Sequence, residues 1–355
     1  MISTELSRRL DRWSAWWRHE NGGQPLLIAG WSPPSDIHRQ LRRIWPDATT
    51  EPDYEELARK EMEQLAITRH FGDSHAMISH SYGGRGTPMV MAAYLGGRVR
   101  FGEETVWVDP VIDDWEQFPV VFDPENIWVR RSRRLMEAQI AVAPDDALPW
   151  IPDLGDALTV FSLLRGVERL AMDLVEIPDL IEKKAGDYLR AFTAAHRYFH
   201  DICRRYPGDA SCLCWAPGRT YMVQSDFSTM ISPAMFRRFV VRELTGLSTY
   251  LEYMVWHLDG PEEIKHIDAL LELPFIRAIQ IQPGANRPTA VSDLWLAHVK
   301  RIQAAGKSLV VGAATREEYA ILTRELSPNG LAIACGWPFT TPEEAEAFVR
   351  EQQKG

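Results

Sequence analysis

The chain has 355 residues, 45% of them hydrophobic and 25% charged, with a formal net charge of -10. That composition suits a globular protein with a large core, and its scattered Lys and Arg residues argue against a nucleic-acid surface. No apolar run reaches the roughly 18 residues of a membrane span, and the opening MISTELSRRLDRWSAWWRHENGG is charged and amphipathic rather than a signal peptide, so a cytoplasmic protein with a small-molecule ligand is expected.

In chain order, residues 1–60 read as a helical, partly irregular extension ahead of one domain spanning 1–355. RVRFGEETVWVDPVIDDWEQFP comes next, with the character of strands and turns and with Trp107 as a weak candidate for a pocket wall. DALTVFSLLRGVERLAMDLV and DLIEKKAGDYLRAFTAAHRYFHDICRRY are helical by periodicity, broken at Pro178 and Asp179. SCLCWAPGRTYMVQSDFS reads as a strand ending in a polar loop at Gln224, Ser225 and Asp226. Trp215, Arg219 and Tyr221 in this region suit an aromatic, partly polar wall. The next helix starts at Ser232, a good N-cap, with Pro233 in its first turn.

Four strand–loop–helix units then run in series. They are EYMVWHLDG with a helix through Leu273, IRAIQIQPG with a helix from Ser292 to Gly306, KSLVVGA with TREEYAILTREL, and GLAIACG with TPEEAEAFVREQQ. Thr315 with Glu318, and Thr341 with Glu344, form capping boxes. The strands are nearly continuous apolar runs, as in a parallel sheet covered on both faces. This plan favours an α/β fold of the (β/α)8 TIM-barrel type. No G-x-G-x-x-G or Walker pattern supports a nucleotide site.

At the end of VWHLDG, His257 and Asp259 project from one face of a strand while Leu258 faces the other. They lie at the carboxyl end, where parallel α/β proteins bind ligands. A buried ion pair, with Asp259 capping the following helix, is the plainer alternative. Gln280 and Gln282 share a face of the next strand, where inward-facing amides need a ligand or a polar network. The four cysteines, Cys203, Cys212, Cys214 and Cys335, are too few and too scattered for a disulfide framework, and the Cys212–Cys214 pair reads as packing.

On HLDG at 257–260, QSDFSTMISPAMFRRFV and ACGWPFTTPEEAEAFV, the chain resembles the uroporphyrinogen decarboxylase-like superfamily. The resemblance runs from Leu154 to the C-terminus, and more loosely over GGRGTPMVMAAYLGGRVRFGEETVW. It implies a single (β/α)8 barrel. The decarboxylase branch carries an N-terminal arginine-rich motif that QPLLIAGWSPPSDIHRQLRR lacks, so true uroporphyrinogen decarboxylase activity is not expected. The cobalamin-dependent methyltransferase branch implies a zinc site, and methylcobalamin carried by a partner corrinoid protein.

The positions matching the family's zinc ligands are His257, Asp259 and Cys335, with aspartate where the family has a second cysteine. Neutral His with two anions still balances Zn²⁺, but a carboxylate is a harder donor than a thiolate and changes how a substrate is activated. These residues are compatible with three readings. One is methyl transfer on a small methylated or methyl-accepting compound, with His257, Asp259 and Asp226 catalytic and Gln224, Trp215, Tyr221, Gln280, Gln282 and Trp107 lining the site. Another is a metal-independent decarboxylase or lyase using His257 as proton donor, and the third is a non-catalytic ligand- or corrinoid-binding accessory. A homodimer is also expected.

Overall fold

A computed structural model describes residues 2–353. Its strands are β1 (Leu26–Trp31), β2 (Arg69–Gly72), β3 (Ala76–Ile78), β4 (Arg98–Phe101), β5 (Val106–Asp109), β6 (Ala147–Pro149) and β7 (Asp209–Ser211). They continue with β8 (Cys214–Ala216), β9 (Thr220–Val223), β10 (Tyr253–Asp259), β11 (Ile276–Gln282), β12 (Ser308–Ala313) and β13 (Leu331–Cys335).

A seven-stranded sheet runs in the order β2-β1-β13-β12-β11-β10-β9, parallel throughout except for β2, which is antiparallel to β1. β3 and β6 form a separate parallel pair, and a single bridge from Trp150 to Ala210 links this pair to β7. Among the described residues the hydrogen-bonded ladder does not close, and the fold is mixed α/β about a mostly parallel seven-stranded sheet. The interruption falls where β3 and β6 shrink to three residues each and Pro149 and Pro152 remove backbone donors.

The first 60 residues are not a helical extension. They contain β1, which pairs with β13 through Leu26–Ala332, Leu27–Ile333 and Ile28–Ala334, between helices Thr4–Trp17, Ile37–Ile44 and Tyr54–Ile67. The single strand expected around Cys212 is three short ones, with Cys212 at φ 51° in the β7–β8 turn. The expected helix over DALTVFSLLRGVERLAMDLV is two, Ala157–Arg165 and Val167–Glu176, divided where Gly166 takes φ 93°. Both N-caps are present, with Glu318 N donating to Thr315 Oγ1 (3.2 Å) and Glu344 N to Thr341 Oγ1 (3.2 Å), while the two glutamates reach back one residue past the cap, to Ala314 N (2.6 Å) and Thr340 N (2.8 Å).

Strand alternation sorts the side chains into two cores. Val255, Ala278, Val310 and Ala332 pack on an inner face with Leu6, Leu10, Trp13, Trp16 and Trp17 of the first helix. Trp256, Leu258, Ile279, Ile281, Val311 and Ile333 pack on an outer face against the helix layer. The helix Thr4–Trp17 lies across the amino-terminal ends of the strands. Ser308 Oγ donates to Trp16 O (3.3 Å), Arg277 to Trp17 O (3.4 Å), and Trp17 Nε1 to Trp215 O (2.9 Å). The floor is thereby closed, leaving the carboxyl ends of the inner face as the place for polar chemistry. No helix among the described residues is long and apolar enough to cross a membrane.

Candidate functional site

β10 delivers two polar side chains to the inner face. His257 and Asp259 follow the parity of buried Val255, whereas Trp256 and Leu258 are fully buried on the outer face. Their ladder partners are Gln280 and Gln282 of β11, about 4.8 Å away across the strands. His257 Nδ1 is hydrogen-bonded to Gln280 Oε1, and Gln280 is only 8% exposed. Gly260, at φ 83°, turns the chain away at once, its N–H donating to Gln282 O (2.8 Å).

Asp259 does not cap a long helix. The chain continues as a 3₁₀ segment, Pro261–His266, then a short helix, Ile267–Leu271. Glu263 reaches back instead, its carboxyl accepting from Ser228 Oγ (2.9 Å) and from Asp259 N (3.3 Å). With 1% exposure it is pushed up to about 8, chiefly by burial, with Asp226 and Asp259 adding repulsion.

Asp226 opens a 3₁₀ turn just past β9, exposed on one side and walled by protein on the other. Loss of hydration on the walled side raises its carboxyl to about 6, Asp259 and Asp153 push further, and His257 partly offsets them. Asp153, just beyond β6, completes the group. It accepts from Tyr221 Oη (3.0 Å), Gly155 N (3.1 Å), Gln224 Nε2 (3.2 Å) and Met89 N (3.4 Å), and burial raises its pKa against these bonds. Asp153 was missed in the sequence. Its one signal is an acid directly before a Leu-Gly turn at a strand end, the counterpart of Asp259 before Gly260.

Asp226 is thus within electrostatic reach of Asp153, Asp259 and His257, and Glu263 of Asp226 and Asp259, and among the described residues no Lys or Arg side chain bonds to any of the four carboxyls. Near neutral pH the group contains both a largely protonated acid, Glu263, and a largely ionised one, Asp226, the kind of split that supports proton transfer.

The other expected site residues are placed differently. Cys335 pairs with Ala313 and follows the parity of Leu331 and Ile333, so it faces the outer layer, away from His257 and Asp259. Burial raises its thiol to about 12 despite the nearby Arg316. Among the described residues no three His, Cys, Asp or Glu side chains stand together as a possible metal site, so the donor set expected for zinc is not assembled. Trp215 belongs to the floor, with its indole donating to Pro207 O (2.7 Å). Tyr221 is 2% exposed and spends its hydroxyl on Asp153 and on the N–H groups of Leu154 and Gly155. Gln282 is exposed on the rim, and Trp107 stands 55% exposed on the antiparallel β4–β5 hairpin.

No family model matches the chain, and no curated protein matches it. Solved structures do. The mixed α/β fold is shared end to end with a methyltransferase from Methanosarcina mazei, at TM-score 0.64 over 98% of this chain and 99% of that one. The two sequences are 15% identical, so what they share is the fold. A protein described as a vitamin-B12-independent methionine synthase from Listeria monocytogenes aligns over 94% of this chain and 95% of that one, at 11% identity and TM-score 0.46, too loosely to carry an argument.

Proposed function

We propose that the protein is an enzyme of methyl transfer, acting on a small methylated or methyl-accepting compound at the carboxyl ends of β9, β10 and β11. The observation that carries this reading is the end-to-end likeness to a solved methyltransferase. The polar cluster on the inner face supplies the chemistry. A corrinoid on a separate protein, as the sequence resemblance implies, is the methyl carrier in this reading, and the fold is a TIM barrel whose ring is left unpaired beside β3.

Each residue then has a task. A heteroatom that gives up a methyl cation equivalent keeps the bonding pair and needs a proton; one that accepts a methyl group must lose one. Asp226, open to solvent on one side and with a pKa of about 6, is the group suited to exchange that proton. His257 stands beside it, and Gln224 and Gln282 border the space. The zinc set that the resemblance implies joins His257 and Asp259 with Cys335, and Cys335 is on the other face, so those three residues do not fit the metal and no step here is routed through it.

The test is an anaerobic incubation with methylated or reduced cobalamin and a panel of thiols and methylated heteroatom compounds, with the corrinoid absorption change as readout. Turnover that is lost in His257→Ala and slowed in Asp226→Asn is the expected result. A corrinoid spectrum unchanged with every compound, alongside consumption of a carboxylated substrate, would replace methyl transfer with the decarboxylase or lyase reading. Tight ligand binding without any turnover would point to the accessory role.

A further inference from the structure

We propose that Gln280 is a positioning residue that locks the His257 ring in the tautomer carrying its proton on Nδ1, which leaves the lone pair on Nε2. This concerns the ring itself and does not depend on the reaction being methyl transfer.

The ring nitrogen facing Gln280 is Nδ1, and the atom it meets is the amide oxygen. A carbonyl oxygen only accepts, so Nδ1 must carry the hydrogen, and a neutral imidazole then has no hydrogen on Nε2. The contact is built into the sheet, because His257 and Gln280 are ladder partners on adjacent parallel strands and their side chains leave the same face at the same level. Gln280 is more than nine-tenths buried, which restricts its amide to few orientations.

The amide oxygen is the atom turned to the ring, and among the described residues the amide hydrogens make no hydrogen bond. The lock has chemical content because a free neutral histidine in water favours the opposite tautomer, with the hydrogen on Nε2. His257 accordingly enters the chemistry as a proton acceptor or a ligand through Nε2, which is the opposite of the proton-donor role expected of it in a decarboxylase.

The test uses the full chain labelled with ¹⁵N in its ten histidines and records long-range ¹H–¹⁵N correlations at alkaline pH, where imidazoles are neutral. His257 is assigned by loss of its signals in His257→Asn. The wild-type ring should show a pyrrole-type Nδ1 and a pyridine-type Nε2. Gln280→Glu, whose carboxylate can only accept, should keep that pattern, and Gln280→Leu should shift it to the Nε2–H form or to a mixture. The buried His80 and His196 signals report whether each variant is folded. An Nε2–H ring in the wild type overturns the proposal even if no variant folds. So does a pattern unchanged in folded Gln280→Leu, or one lost in folded Gln280→Glu, whose carboxylate should hold the hydrogen on Nδ1 at least as well.

Discussion

At the scale of single residues, strand parity decides what the sequence could reveal. His257, Asp259, Gln280 and Gln282 were legible because four polar residues at alternate positions near the ends of two apolar strands have few ways to be satisfied. The same parity was available for Cys335. In LAIAC the small residues Ala332 and Ala334 take the crowded inner face, and Leu331, Ile333 and Cys335 take the outer one. The family pattern placed that cysteine on the wrong side.

Glu263 gives a prediction about pH. Its pKa rises from an ordinary 4.5 to about 8 on folding, so the fold holds a proton that the unfolded chain has released. Stability is therefore complete below about 4.5, falls as pH rises toward 8, and levels off above it, a loss on the order of 3 to 5 kcal/mol. Glu263→Gln should match the wild type in thermal melting at pH 5 and exceed it at pH 9. Tyr221→Phe should act in the other direction. It strips one hydroxyl from the buried Leu154 N (2.6 Å) and Gly155 N (3.0 Å) and from the half-buried Asp153 (3.0 Å), and should cost about 2 to 3 kcal/mol in urea unfolding with little change in slope.

At the scale of elements, the helix starts were the most readable feature, since capping is a local transaction between residues three apart. Interruptions were harder. Gly166 halves an apolar stretch whose periodicity is helical on both sides, and the segment Arg237–Val241 widens to a π turn inside Pro233–Leu247 for which the sequence offers no local signal. The role of the first helix was also hidden, because its partners lie up to 292 residues away. Trp13 is fully buried, and its indole donates to Asp73 O (3.0 Å), beside the Arg12–Asp73 pair (2.6 Å). Trp13→Ala opens a cavity in the floor and leaves that carbonyl unpaired, which should cost about 3 to 5 kcal/mol in denaturant unfolding.

For the whole molecule, the α/β plan of the C-terminal half was plain from four strand–helix units in series, and the incomplete ladder was not. Whether a ring closes depends on three-residue strands at β3, β6 and β7, too short for periodicity to register. Both cores draw on the N-terminal and C-terminal halves, with Leu27 and Ile333 in one and Leu26 and Ala332 in the other. The two halves should thus unfold as one unit. Calorimetry should show a single transition whose calorimetric and van 't Hoff enthalpies agree, and two resolved transitions would contradict it.

The floor helix also fixes an order in time. Thr4–Trp17 is made before its seat, which is formed by Trp215, Arg277 and Ser308, so during synthesis three tryptophans wait on an unsupported amphipathic segment until Ser308 has left the ribosome. Docking of that helix is a late step of high sequence separation, and the nascent protein is most exposed to aggregation just before it.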